Sequence, residues 1–404
     1  MKRIIAVMLV LFSLALASCA KPSEIANGES APDGSTSDGG TESESTSADG
    51  DGGQTDTAKK SIDIYIIAGQ SNAVGHSKVN DMKALASNAP GVVDGYSNIY
   101  YAGNARTDTV VSNVRYIIDN DVDWQNVTPG LGREGGYIGP ELGMAEALSA
   151  YYNVDTGREA GIIKFAHGGT SLFDKSTNSN QFGNWVSPSY ASRLGVGYED
   201  GDVTGQLYRD LLAEVSSNIL SLKKKGYTEI RIKGLYWMQG ENDRGVPDEY
   251  DDVFALWVKD IRSDLSDMMR LINESNDDGG ASNMPVIVGT VSKTFALSAG
   301  DKTGDVYNMP FIEMQKKLPS LIDNCYVVDN SDFAINRWDY ENDKCVIVGA
   351  DTYHWNQNDM VSIGKNIGDA ILRNCLSSWS EQDDELWKTI TQTDPNGEGW
   401  SDTK

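Results

Sequence analysis

The pattern that most restricts this chain is an alternation of short apolar, β-branched runs with amphipathic stretches of helical length. The runs fall at residues 62–68, 161–166, 230–237, 285–291 and 325–329, each of strand length and apolar on both faces. Between and after them lie residues 139–151, 205–225, 250–272, 311–318 and 360–375, whose apolar positions recur at helical spacing. Strands that alternate with helices are joined by right-handed crossovers. The alternation therefore predicts one α/β domain over 61–380, a mostly parallel sheet covered on both faces. Such sheets bind ligands beyond the carboxyl ends of their strands. No internal repeat divides the region.

The flanks read differently. Lys2 and Arg3 precede an apolar run, 4–16, too short to span a bilayer but suited to an export signal. It ends in Leu16-Ala17-Ser18-Cys19, which resembles a bacterial lipobox. That resemblance implies a signal peptide over 1–18 and a lipid on Cys19 that anchors an extracytoplasmic, cell-envelope protein to a membrane. Residues 19–60 are almost devoid of large apolar side chains, and 22–58 carry nine acidic and no basic residues. This segment is expected to be a disordered, self-repelling linker. Residues 381–404 form an acidic tail containing Trp387 and Trp400. With 59 Asp and Glu against 34 Lys and Arg, and a net charge of -25, the chain has no general positive field for nucleic acid. Its three histidines, His76, His167 and His354, fall in no zinc-ligand spacing with the cysteines.

Candidate chemistry sits at the predicted strand ends. The 62–68 strand runs into Gly69-Gln70-Ser71-Asn72, which puts a serine where a nucleophile would stand. The 230–237 strand runs into Gln239-Gly240-Glu241-Asn242-Asp243, a loop rich in amides and carboxylates. Asp351 precedes His354 by three residues on one turn, where it can fix the imidazole tautomer while the ring reaches a serine.

In order along the chain, Gly69-Gln70-Ser71-Asn72, Gly139-Pro140-Glu141, Gly168-Gly169-Thr170-Ser171-Leu172, Gln239-Gly240-Glu241-Asn242-Asp243 and Asp351 to His354 resemble the blocks of SGNH-type hydrolases. Within these the match is to the sialate O-acetylesterase and acetylxylan-esterase branch. The resemblance implies a flavodoxin-like three-layer α/β/α sandwich and a serine esterase that removes O-acetyl groups from carbohydrate, with no cofactor, metal or partner protein. Carried over residue by residue, Ser71 is the nucleophile, His354 the base and then the acid, and Asp351 the residue that orients it. The oxyanion donors are the backbone N–H groups of Ser71 and Gly169 and a side-chain amide, either Asn242 or Gln239. Gln70, Glu241, Arg133, Arg244 and Trp185 are candidate substrate contacts, the two arginines suiting a sialate carboxylate. Other readings are a non-catalytic glycan-binding lipoprotein and an esterase for a non-acetyl ester.

Some residues keep two readings. His76 is a surface or pocket-wall residue, and His167 either touches substrate or packs at a strand end. Residues 173–204 look like an inserted loop over the site, where Trp185 would stack on a sugar or pin the loop to the core. Glu241 and Asp243 suit structural hydrogen bonding better than glycosidase chemistry, since neighbours on a loop rarely face one another. Cys325 and Cys345 are candidates for a disulfide in an exported protein, and Cys375 reads as a buried thiol.

Overall fold

The computed structural model describes residues 60–93, 95–104, 124–152, 157–173, 183–198, 202–302, 307–333, 335–339, 341–347 and 351–376. The signal, lipidation and acidic-tail readings lie outside these residues, as does the linker reading except for Lys60, which opens the first strand. The described elements run β1 (Lys60–Gly69), α1 (Ser71–Val74), β2 (Ser77–Lys78), α2 (Met82–Asn88), β3 (Tyr96–Asn104), β4 (Gln125–Val127), β5 (Tyr137–Ile138), α3 (Glu141–Tyr152), β6 (Glu159–Ala166) and α4 (Pro188–Leu194). They continue with α5 (Gln206–Lys224), β7 (Tyr227–Met238), α6 (Pro247–Asn273), β8 (Val286–Gly289), α7 (Asn308–Lys317), β9 (Cys325–Val328), β10 (Arg337–Asp339), β11 (Lys344–Val346) and α8 (Gln357–Cys375).

Seven strands form the central sheet in the order β4-β3-β6-β1-β7-β8-β9. All neighbours are parallel except β4, which is antiparallel to β3 at the edge. β1 is central, and residues 62–69 are buried, as expected of a strand covered on both faces. Alternation assigns its neighbours to opposite layers. Tyr236 and Met238 of β7 join Tyr65 and Ile67 in the core beneath α3 and α8, whereas Trp237 packs against Phe254 and Trp257 of α6 on the other side. The expected α/β/α sandwich with a mostly parallel sheet is therefore observed.

Helix α8 buries Met360, Val361, Ile363, Gly364, Ile367, Gly368, Ile371, Leu372 and Cys375, a stripe at helical spacing. It crosses α3 closely. A Cβ on Gly143 would lie 2.0 Å from the Val361 carbonyl oxygen, and one on Gly364 would lie 2.3 Å from that of Pro140. Both glycines are needed for the approach. The crossing ties the segment after the Asp351–His354 turn to the sheet.

The candidate disulfide does not form: Cys325, Cys345 and Cys375 are all buried free thiols. Cys325 opens β9 at its amino end, while Cys345 on β11 is hydrogen-bonded to Gly300 and Asp301, in the loop after the carboxyl end of β8. The two cysteines thus belong to opposite ends of the sheet.

Candidate active site

At the carboxyl end of β1 the chain must turn sharply beside β7. Gly69 has φ +145°, and a Cβ there would lie 2.0 Å from the Met238 carbonyl oxygen, so the position demands glycine. That same carbonyl accepts the Gln70 N–H at 2.9 Å. The next residue, Ser71, opens helix α1 and is partly exposed. As the first helical residue, its N–H has no acceptor within the helix.

The Asp351–His354 turn closes on itself. Asp351 Oδ2 lies 2.8 Å from His354 Nδ1. Oδ1 accepts the backbone N–H groups of Tyr353 at 2.8 Å and His354 at 3.1 Å. Burial raises the Asp351 carboxyl, but hydrogen bonds from the His354 ring and the backbone outweigh it and hold the group below the usual range. An ionised partner at Nδ1 fixes the proton there and leaves Nε2 as the ring's acceptor.

This turn is fastened to the Ser71 segment at several points. Asn72 Nδ2 donates to the Tyr353 carbonyl at 3.3 Å, and Ser77 Oγ donates to the Trp355 carbonyl at 2.7 Å. Between these ties the rings of His76 and His354 stack, with centroids 4.3 Å apart and planes 23° apart. Ser71 and the Asp351–His354 pair, 280 residues apart in sequence, are therefore carried on adjoining segments. His76, read from sequence as a surface or pocket-wall residue, lies against the imidazole itself.

The turn after β6 stands beside Ser71 because β6 pairs with β1 through Gly69 and Ala166. His167 is partly buried at this strand end and its N–H donates to the Gly69 carbonyl at 3.0 Å. Gly169 adopts φ +68° and is partly exposed. Thr170 Oγ1 donates to the His167 carbonyl at 2.8 Å and accepts the Trp185 indole N–H at 2.9 Å.

The loop after β7 divides into buried and exposed parts. Gln239 uses both amide hydrogens, on the Thr170 carbonyl at 3.2 Å and Asp243 Oδ2 at 2.7 Å, and its oxygen accepts from Tyr250 at 2.7 Å. Both of its amide hydrogens are thus engaged within the protein. Asn242 is exposed in the same loop. Asp243 also accepts from Ser171 Oγ and from the Leu172 N–H at 2.8 Å. Burial lifts its carboxyl to about 6, against the hydrogen bonds from Ser171, Leu172 and Gln239. Glu241 accepts from Asn72 Nδ2 at 2.7 Å, and burial pushes it to about 7. The two carboxylates do structural work, joining this loop to the Gly168–Leu172 turn and to the residue after Ser71.

Three candidate substrate contacts are buried. Gln70 is 2% exposed, Glu241 1% and Trp185 0%. Trp185 is enclosed edge-to-face by Phe165 and Trp237 and pins its segment to the core. The described part of 173–204 also packs on α6, where Asp260 accepts from the Ser189 N–H at 2.8 Å and its hydroxyl at 2.6 Å. Arg133 and Arg244 remain partly exposed. The Arg133 N–H donates to the Gly75 carbonyl at 2.9 Å, and its guanidinium lies over Tyr137. Arg244 Nη1 donates to the Glu241 carbonyl at 2.7 Å, and its guanidinium caps the Phe295 ring at 4.9 Å. Asn72 and Ser77 were not singled out from sequence, although Asn72 stands inside the Gly69–Asn72 block.

Residues 61–373 match the model of the family described as carbohydrate esterase, sialic acid-specific acetylesterase. The chain belongs to this family. The carbohydrate esterase match opens in β1 and closes in α8, so it spans the whole sheet. Similar solved structures include a protein from Arabidopsis thaliana, with 17% identity, coverage of 78% of this chain and 99% of that one, and a TM-score of 0.46. NanS has 17% identity, coverage of 78% and 98%, and a TM-score of 0.45. A carbohydrate acetylesterase from Xanthomonas citri has 15% identity, coverage of 78% and 56%, and a TM-score of 0.44. No curated protein matches this esterase.

Proposed function

We propose that this carbohydrate esterase is a serine O-acetylesterase acting on acetylated sugar, either sialate or a polysaccharide such as xylan. The observation that carries the reading is the Asp351–His354 pair fastened to the Ser71 segment at the end of the central strand. Ser71 Oγ attacks the acetyl carbonyl carbon as His354 Nε2 takes the hydroxyl proton. The backbone N–H groups of Ser71 and Gly169, with the Asn242 amide, are the assigned oxyanion donors. The tetrahedral intermediate collapses by breaking the bond to the sugar oxygen, which receives its proton from His354. Water then attacks the acetyl-Ser71 ester with His354 as base, releasing acetate and restoring the serine.

The test is acetate release from a panel of O-acetylated sialates and acetylxylan, with Ser71→Ala alongside the wild type. The variant is expected to lose activity by about a thousandfold or more while keeping the wild-type circular-dichroism spectrum. Turnover within a few-fold of wild type would remove Ser71 as nucleophile.

For the amino-terminal segment the proposal is a lipidated Cys19 that tethers the domain through 19–60 at the cell envelope. In a bacterial host, Cys19→Ser is expected to abolish fatty-acid labelling and release the protein from the membrane fraction. Unchanged labelling would contradict it.

A further inference from the structure

The reaction gives the surroundings of His354 a direction. Its imidazole must protonate the departing sugar oxygen, so groups beside the ring lie beside the alcohol half of the ester. One face of the ring is covered by His76, at a centroid distance of 4.3 Å. Tyr353 lies in another direction, its ring tilted at 56° to the imidazole with centroids 6.4 Å apart.

Tyr353 is 51% exposed, yet it is held on three sides. Its N–H donates to Asp351 Oδ1 at 2.8 Å, and its carbonyl accepts from Asn72 at 3.3 Å. Its ring meets Phe295 edge-to-face, with centroids 5.6 Å apart. Phe295 is 6% exposed and is capped by Arg244. Its loop is bonded to the catalytic turn through the Ala296 N–H and the Thr352 carbonyl at 2.9 Å, and Asn308 holds the Phe295 carbonyl at 2.8 Å. A scattered surface aromatic needs no explanation. This one is fixed in place, half uncovered, and adjacent to the proton donor for the leaving group. An aromatic face fixed before binding takes up an apolar surface at little ordering cost.

We infer that Tyr353, backed by Phe295, is the leaving-group subsite, where a pyranose ring lays its C–H face against the tyrosine as its oxygen faces His354. The inference rests on the acetylesterase reading and assigns the sugar half of the substrate to this turn. Tyr353 acts by contact with the sugar, and its backbone ties to Asp351 and Asn72 do not require the side chain.

The experiment compares wild type, Tyr353→Ala and Tyr353→Phe on an O-acetylated methyl glycoside and on ethyl acetate, whose alcohol has no ring. The quantity read is the ratio of the two kcat/KM values within each protein, which cancels damage shared by both reactions. Tyr353→Ala is expected to lower the ratio about tenfold, mainly through KM for the glycoside, while Tyr353→Phe keeps it within about twofold. An unchanged ratio in Tyr353→Ala overturns the subsite, including the case where both rates fall together because the turn has loosened. A wild type that cleaves ethyl acetate and no sugar ester would instead overturn the carbohydrate reading on which the subsite depends.

Discussion

At His354 two contacts divide the work of one ring. Asp351 fixes Nδ1, and because its carboxyl is held below the usual range it stays ionised through mildly acidic pH. His76 stacks on the ring face, with centroids 4.3 Å apart. The expected pH profile follows from this division. Only a neutral imidazole accepts the Ser71 proton, so kcat/KM for an acetyl ester falls with a slope of one proton on the acid side. Asp351→Asn should cost about a thousandfold or more, since an amide can favour the wrong tautomer. His354→Ala should remove both the rate and the acid limb, whereas His76→Ala should lower the rate and keep the limb. Profiles with these two histidine variants interchanged would move the base to His76. The i, i+3 relation of Asp351 and His354 was readable in sequence. The stacking of His76 was not, because the two rings lie 278 residues apart in sequence, and for Trp185 the sequence left sugar stacking and core packing open until burial chose the second.

Among the elements, the strands foreseen from sequence are those with unbroken apolar runs. β1, β6, β7, β8 and β9 all form, with ends shifted by a few residues. β3 was missed because Tyr96–Asn104 interleaves Ser97, Asn98 and Gly103 with its apolar residues. It nevertheless pairs with β6 on the flank of the sheet. α4 was hidden in the segment read as a loop. The Ser71 segment has a further support that periodicity cannot display. Lys164 of β6 is wholly buried, donating to Glu141 at 2.8 Å, the Val74 carbonyl at 2.9 Å and the Leu131 carbonyl at 2.8 Å. Burial drives its pKa down, and Glu141 opposes the shift. A charge so placed needs all of its partners. Here they are the end of the helix opened by Ser71, the loop before β5 and the first residue of α3. A lysine inside an apolar run looks like a flaw in a strand, but it joins three elements around the helix that Ser71 opens.

On the scale of the molecule, the acidic composition is not confined to the surface. Burial raises Glu241 and Asp369 to about 7 and Asp210 and Asp243 to about 6, against cations beside Asp369, hydrogen bonds to Asp243, and both around Glu241 and Asp210. A carboxyl whose pKa is raised by folding binds its proton more tightly in the folded state. Its stabilising contribution is complete below the unfolded value and is lost as pH rises through the folded one. The carboxylates shifted the other way, Asp278, Asp329 and Asp351 among them, lose their contribution only below about pH 4. Stability is therefore expected to fall from about pH 5 to pH 8. For Glu241, a shift from 4.5 to about 7 corresponds to about 3 kcal/mol. Glu241→Gln keeps an oxygen to accept from Asn72 and removes the ionisation. Urea unfolding at pH 5 and pH 8 should show a smaller loss of stability in the variant than in the wild type, by about 2 kcal/mol once part of the penalty is relieved by relaxation. The same loss in both proteins would mean that Glu241 ionises without cost and that burial of the acid beside Ser71 does not set the stability of the site.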